Sequence, residues 1–313
     1  METLQINLKK LADALNGVLR GKAEIIELGI TTLLAGGHLL LEDLPGVGKT
    51  TFGSALARSI GGVFSRIQFT ADLLPADVLG CRVYFRNQEK FELVPGPIFA
   101  NLVLADELNR APPKTQSALL QAMSEGQVSI DRETLSLPQP FMVVATQNPR
   151  WHQGTYPLPE SQRDRFLMRL SIGYPGTAVE MNILQDRRER DPLDDLKPVL
   201  SLEMIAEARV AVQKIPVSEA VLHYICRLAD ATRNHSDVAI PLSPRGTLAL
   251  MRASQALTYL RNLPAVDIDL VKFLAPKVFG HRLSLRTPVS AISDESSQGG
   301  WVERELLARV SVE

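Results

Sequence analysis

The sequence predicts an α/β fold, a parallel-sheet domain built around a phosphate-binding loop and followed by a smaller, helical domain. Three observations predict it. An apolar run, Leu39-Leu40-Leu41, passes through a Pro/Gly turn into Gly48-Lys49-Thr50 and then into a helical segment. Strand-like apolar runs alternate with helical patterns up to about residue 172. From residue 180 onward only helical periodicity follows.

Taken in order, residues 4–20 predict a helix with Leu4, Leu8, Leu11, Leu15, Val18 and Leu19 on one face, ended by Gly21. Ala23 to Ala35 predicts a second, closed by Gly36-Gly37. His38 to Glu42 reads as the first strand, Phe52 to Ser59 as the helix after the loop, and Val63 to Phe69 as the second strand. Leu73 to Leu79 suits a helical turn. Arg82-Val83-Tyr84-Phe85 and Phe91-Glu92-Leu93-Val94 flank a polar stretch and predict a hairpin. Ile98 to Ala105 is apolar throughout, as in a strand covered on both faces. Pro112-Pro113 opens a helix reaching Ser124. Residues 127–130 and 134–137 flank Asp131-Arg132-Glu133 as a second hairpin, and Phe141 to Thr146 is another buried strand. Four helical segments follow: Leu202 to Val212, Ser218 to Arg233, Pro244 to Arg261 and Asp267 to Phe279. Ser243 caps the third, with Pro244 at its first position. The expected division is an α/β core over 1–178, a helical domain over 199–282 and a tail over 283–313. Within the tail, residues 284–300 are expected to be loose, because they are rich in Ser, Thr, Pro and Gly.

A net charge of −1 on 313 residues gives no support to a nucleic-acid or anionic-membrane partner. Cys81 and Cys226 are far apart, which fits two buried or inert thiols in a reducing compartment, the cytoplasm. The five histidines show no metal-ligand spacing. The N-terminus lacks the pattern of a signal peptide, and no run of about 18 apolar residues exists to span a membrane.

The loop residues Pro45, Gly46, Val47, Gly48, Lys49, Thr50 and Thr51 carry the first half of a nucleotide site. Glycine lets backbone N–H groups close around an anion, and the helix N-terminus adds its positive dipole end. Lys49 would reach the terminal phosphates of ATP, and the Thr50 hydroxyl would ligate Mg²⁺. Asp43 stands where the usual pattern opens with Gly. Aspartate tolerates left-handed backbone better than most residues, but its carboxylate would have to point away from the phosphates. Leu102-Val103-Leu104-Ala105 ends in Asp106 and Glu107. Beside the loop, at the C-terminal edge of a parallel sheet, Asp106 would hold Mg²⁺ largely through water and Glu107 would orient or deprotonate the attacking water. Val143-Val144-Ala145-Thr146-Gln147 leads to Asn148, whose amide suits the γ-phosphate; read alone, Asn148-Pro149 is first of all a turn.

These residues resemble the MoxR family of AAA+ ATPases across roughly residues 15–282. The resemblance rests on Gly36-Gly37-His38-Leu39-Leu40-Leu41-Glu42, Gln68-Phe69-Thr70-Ala71-Asp72-Leu73-Leu74-Pro75 and Pro95-Gly96-Pro97-Ile98-Phe99-Ala100-Asn101. It continues in Ala105-Asp106-Glu107-Leu108-Asn109-Arg110-Ala111-Pro112-Pro113-Lys114, Ala145-Thr146-Gln147-Asn148-Pro149 and Gly154-Thr155-Tyr156-Pro157-Leu158-Pro159-Glu160. Asp43 replaces the family's usual Gly, and Trp151-His152 replaces an aliphatic-acid pair. The resemblance implies a parallel-sheet core with an all-helical lid, and Asn148 as first sensor. It implies Arg165 as the arginine finger acting on a neighbour's nucleotide, with Arg163 as the alternative, and Arg245 as second sensor on the lid. Read alone, Arg163 and Arg165 are surface ion-pair residues, and Arg245 is a solvated residue on a capped helix. Val18, Leu19 and Gly21 sit where the family packs adenine, and the two hairpins where it lines a central pore.

By the same resemblance, ATP hydrolysis in a ring, hexameric because an arginine acting in trans needs a neighbour, would remodel or mature a partner protein bearing a von Willebrand A domain. A nucleic-acid-translocating motor is the alternative, but the hairpins offer little surplus of base. A third reading is a subunit with feeble hydrolysis. A charge at Asp43 aimed at phosphate from roughly 8 Å would cost about 2 kcal/mol at an effective dielectric of about 20.

Overall fold

A computed structural model describes residues 2–43, 46–87, 89–131, 133–147, 155–186, 188, 191–286 and 298–311. Helices α1 (Glu2–Val18) and α2 (Ala23–Leu34) precede strand β1 (Leu39–Glu42). Helix α3 (Lys49–Ser59), β2 (Phe64–Gln68) and the short α4 (Pro75–Leu79) follow, then a hairpin of β3 (Gly80–Phe85) and β4 (Lys90–Pro95). Next come β5 (Leu102–Asp106), α5 (Pro113–Glu125), a second hairpin of β6 (Gln127–Ile130) and β7 (Glu133–Ser136), and β8 (Met142–Gln147). Helix α6 (Glu160–Arg163) leads to β9 (Met168–Leu170) and α7 (Thr177–Asp186).

The central sheet is parallel, in the order β2-β5-β8-β1-β9. Its three inner strands are buried almost throughout, as their apolar runs require. Successive side chains serve opposite faces. Leu39, Leu41, Leu102, Leu104, Met142 and Val144 join a core with the lid and the first three helices. Leu40, Val103, Ala105, Val143 and Ala145 join a second core under α5 and the hairpins. Gly29 lets α2 approach the fully buried Phe52, whose ring lies 2.3 Å from where a Cβ at position 29 would stand.

The lid comprises α8 (Leu202–Gln213), α9 (Glu219–Arg233), α10 (Pro244–Leu260) and α11 (Ile268–Phe279). Ser201, Ser218 and Ser243 each cap the helix that follows, accepting a backbone N–H three residues on. The sequence did not announce a short antiparallel ribbon in this domain, β10 (Val238–Ile240) with β11 (Ser284–Leu285). Within the tail over 283–313, residues 284–300 were expected to be loose; of these, 287–297 lie outside the described residues. The described part, α12 (Gln298–Trp301), a π-helical turn (Val302–Leu306) and α13 (Leu307–Arg309), instead packs on the lid through buried Trp301, Val302 and Leu306. Trp301 meets the His235 ring edge-on at 5.0 Å. Burial of these apolar side chains outweighs the polar composition that precedes them. Cys81 and Cys226, expected to be buried or inert, are both exposed. Cys226 falls off the α9 stripe formed by Val221, Tyr224, Ile225 and Leu228. Among the described residues no helix is long and apolar enough to cross a membrane.

Candidate functional site

The phosphate loop leaves the C-terminal end of β1, and its left-handed backbone falls on glycines: Gly46 at φ 86° and Gly48 at φ 97°. Asp43 does not adopt positive φ, so the tolerance expected of it is not called upon. Its carboxylate turns toward the end of β9, where it accepts from the Ser171 hydroxyl at 3.1 Å and from the Gly173 N–H at 2.8 Å. Lys49 opens α3, is buried, and donates from Nζ to the Asp43 carbonyl at 2.9 Å. Burial lowers its pKa below the usual lysine value, while the charges of Asp43, Asp106 and Glu107 raise it again. No side chain caps the N-terminus of α3. A buried cation, glycine backbone and an uncapped helix start form a donor set suited to a polyanion such as a triphosphate. Thr50 and Thr51 lie in the first turn of that helix, half-buried.

Asp106 ends β5, two strands away from β1 with β8 between them. Its Oδ1 accepts from the Thr146 hydroxyl at 2.7 Å, and its Oδ2 pairs with Arg66 Nη2 at 2.6 Å. Glu107 sits in left-handed backbone, φ 56° and ψ 44°, an unusual conformation for a residue with a side chain. Its N–H donates to Thr146 Oγ1 at 2.8 Å. Its Oε2 accepts from Gln68 Nε2 at 3.1 Å and Arg110 Nη1 at 2.8 Å. The structure thus gathers Lys49, Thr50, Asp106 and Glu107 at one edge of the sheet. Asn148 and Pro45 lie outside the described residues; Gln147, the residue before Asn148, pairs with Glu42 at that same edge.

Leu19 faces the loop, 3.7 Å from where a Cβ on Gly48 would stand, and Val179 comes within 3.0 Å of the equivalent point on Gly21. Val18 is half-buried against the same core. Of these three positions, Leu19 is the one seen against the phosphate loop.

The arginines gather at the opposite edge. Leu167 donates to the His38 carbonyl before β1 begins, which sets Arg163, Asp164 and Arg165 at the N-terminal end of the sheet. The phosphate loop is roughly 15 Å away along the strands at about 3.3 Å per residue. Arg165 Nη1 donates to the Leu120 carbonyl at 2.7 Å and contacts Ser124 Oγ. Arg163 is buried against Glu160 and Ser284. Arg245, at the start of α10, keeps 59% of its side chain exposed and lies 3.8 Å from Asp164. The same Asp164 carboxylate pairs with buried Arg282 at 2.9 Å.

Sequence reasoning passed over Thr146, Arg66, Gln68 and Arg110. A signal existed for two of them: Arg66 and Gln68 alternate on one face of the strand next to the acidic one, so their side chains fall on the acids.

The strand order, the loop and the paired acids define a phosphate-loop protein of the nucleotide-binding kind. Residues 38–168 match the family described as "ATPase family associated with various cellular activities (AAA)", and residues 230–298 match the AAA lid domain. The chain is 45% identical to the Bacillus subtilis protein YeaC, over 99% of this chain and 96% of the relative. It is 41% identical to the chaperone MoxR1 of Mycobacterium tuberculosis, over 92% of this chain and 78% of the relative. A crystal structure from Cytophaga hutchinsonii, described as that of a candidate ATPase, superposes with a TM-score of 0.89 at 33% identity, covering 99% and 96% of the two chains. The chain belongs to the MoxR family of AAA+ ATPases.

Proposed function

We propose that this protein hydrolyses Mg²⁺-ATP within a ring, most simply a hexamer, to remodel or mature a partner protein. The observation that carries this reading is the meeting of Lys49 with Asp106 and Glu107 at one sheet edge while Arg165 and Arg245 gather at the other. In this reading the arginines, at the opposite sheet edge from the phosphate loop, act on the nucleotide of a neighbouring copy.

Bound magnesium would neutralise phosphate charge, held by the Thr50 hydroxyl and, through water, by Asp106. Arg66 already donates to Asp106 Oδ2, so that water would share the carboxylate with Arg66 and Thr146. Lys49 releases the Asp43 carbonyl to bind the terminal phosphates. Glu107 accepts the proton of the attacking water, and Asn148 orients that water. Val18, Leu19 and Gly21 wall the adenine. Arg165 and Arg245 of the adjacent protomer stabilise charge on the phosphoryl group, a role worth roughly 10³–10⁵ in rate in comparable enzymes.

The work is delivered through the hairpins. Tyr84 and Phe91 meet at 5.2 Å with tilted rings on β3 and β4 and are 48% and 62% exposed, a patch suited to an apolar client segment. The family resemblance motivates a von Willebrand A domain partner, and the name of the MoxR1 relative supports a chaperone role. A reducing cytoplasm suits two exposed, unpaired thiols. Translocation on nucleic acid has less support, because Arg82 is taken by Glu133 at 2.6 Å and Lys90 by Glu92 at 2.6 Å.

Glu107→Gln tests the reading. It should bind ATP, assemble, and release phosphate at least about a hundredfold more slowly than the wild type. Unaltered phosphate release would remove Glu107 from the chemistry.

A further inference from the structure

One turn of the chain is gripped from two sides. It joins β9 to α7 and comprises residues 171–174. Asp43 holds its donors: the carboxylate accepts from the Ser171 hydroxyl at 3.1 Å, the Ile172 N–H at 2.5 Å and the Gly173 N–H at 2.8 Å. Lys22 holds its acceptors: Nζ donates to the carbonyls of Ile172 at 2.6 Å, Gly173 at 2.9 Å and Tyr174 at 3.1 Å. The backbone carbonyl of the same Asp43 takes the Lys49 ammonium. One residue therefore touches both the phosphate-binding lysine and the turn.

What the turn carries is otherwise weakly held. Helix α7 has no buried residue. Among the described residues it is further attached through Arg20 to Asp186 at 2.9 Å and through Val179 against Gly21. Gly17, Val18, Arg20 and Asp186 also line a recess of about 340 Å³. An isolated helix of this length is marginal in water, so its position follows the turn that anchors it.

We infer that Asp43 is a positioning residue that joins the base recess to the phosphate loop, so that base and triphosphate bind as one unit; this rests on the nucleotide reading above. A glycine or alanine at 43 keeps the carbonyl for Lys49. It removes the acceptor of two N–H groups, one of them on the buried Ile172. The turn then loosens, and α7 with Val179 moves off Gly21. The grip on phosphate uses Lys49 and loop backbone and persists. The loss falls on what the base adds.

The test measures calorimetric binding of Mg²⁺-ATP and of Mg²⁺-tripolyphosphate to the full chain. Wild type, Asp43→Ala, Asp43→Asn, Lys22→Met and Lys49→Ala are compared. Wild type should prefer ATP. Asp43→Ala and Lys22→Met should each lose about tenfold or more in ATP affinity while tripolyphosphate stays within about threefold. Asp43→Asn, which keeps an acceptor oxygen, should fall between. Amide exchange over 171–186 should quicken in Asp43→Ala and Lys22→Met. Should Asp43→Ala fold poorly, Lys22→Met carries the test from the other side of the turn. Wild-type ATP affinity in Lys22→Met and the Asp43 variants, or a parallel fall for both probes, overturns the inference. Failure of the wild type to bind either probe, or of Lys49→Ala to lose both, strikes instead at the nucleotide reading.

Discussion

The Thr146 hydroxyl donates to Asp106 Oδ1 at 2.7 Å and, on the same oxygen, accepts the Glu107 N–H at 2.8 Å. One buried hydroxyl thus fixes the carboxylate assigned to magnesium and the backbone of the residue assigned to water. Thr146→Val keeps the shape and removes both bonds. We expect a loss of about 1–3 kcal/mol in unfolding free energy and a fall of at least about tenfold in kcat, with Thr146→Ser recovering most of each. Urea unfolding and steady-state phosphate release measure the two effects.

Gln68 and Arg110 share Glu107 Oε2. Two donors already on that oxygen hold the carboxylate in place, and a water must displace one of them or share the oxygen with them. The double variant Gln68→Ala with Arg110→Ala should therefore raise phosphate release without a partner by roughly threefold or more. A fall in turnover would show that these two side chains aim the carboxylate rather than restrain it.

Much of this arrangement was legible in the sequence, and the reasons differ by element. Leu102 to Ala105 and Val143 to Ala145 announced themselves because strands covered on both faces admit little but apolar residues. Gly46, Gly48 and Lys49 were legible because few other residues perform their roles. Strand β9 was passed over: it has three residues, one of them Arg169, too few for a periodic signal. Helix α7 escaped because it has no buried stripe to read. Packing of Trp301 on the lid and the pairing of Arg66 with Asp106 depend on chain segments far apart in sequence, which local pattern does not report. Asp43 was flagged as a departure, but its acceptors' partners in 171–173 lie more than a hundred residues on.

His38 makes stability depend on pH. Its ring is buried; Nδ1 accepts the Val143 N–H at 3.0 Å and Nε2–H donates to the Met123 carbonyl at 2.9 Å, which requires the neutral ring. Burial lowers its pKa to about 4 from an ordinary 6.5. Between those values the unfolded chain takes up a proton that the native one refuses, so stability falls as pH drops from 6.5 toward 4. The slope from this group approaches about 1.4 kcal/mol per pH unit. Buried His281, its pKa also lowered by burial, adds in the same direction. His38→Gln can make the same two hydrogen bonds without titrating, and its urea midpoint should change less with pH across that window than that of the wild type.

Arg82 on β3 reaches across to Glu133 at 2.6 Å and to Asp131 at 3.9 Å, clipping the two hairpins together. The pair is partly exposed and contributes little to global stability. Its value is in moving the hairpins as one. Arg82→Ala should leave unfolding and partner-free turnover within about twofold of wild type, and reduce stimulation by a client protein by about threefold or more. Tyr84→Ala with Phe91→Ala should abolish that stimulation, since the exposed ring pair is the surface offered to the client. Phosphate release with and without client separates these outcomes.

Asp164 meets two arginines whose circumstances are opposite. Arg282 is buried; it pairs with Asp164 at 2.9 Å and donates to the carbonyls of Leu167 at 3.0 Å and Phe166 at 2.5 Å, riveting the lid to the strand edge. Burial lowers its pKa to about 10 and the Asp164 charge raises it, so it stays charged at neutral pH. Removing it strands a carboxylate and several carbonyls, and Arg282→Ala should cost about 3–5 kcal/mol of stability. Arg245 stands 3.8 Å from the other Asp164 oxygen with most of its side chain in solvent, a pairing of little energetic weight. Arg245→Ala should leave stability within about 0.5 kcal/mol and lower turnover by about a hundredfold or more. If the arginine serves a neighbour, mixing Arg245→Ala chains with Lys49→Ala chains restores part of the phosphate release: wherever the loop of an Arg245→Ala chain meets the arginine of a Lys49→Ala chain, both are intact, while the reverse interface lacks both. Mixed rings as inactive as either parent would assign Arg245 to the lid's own packing.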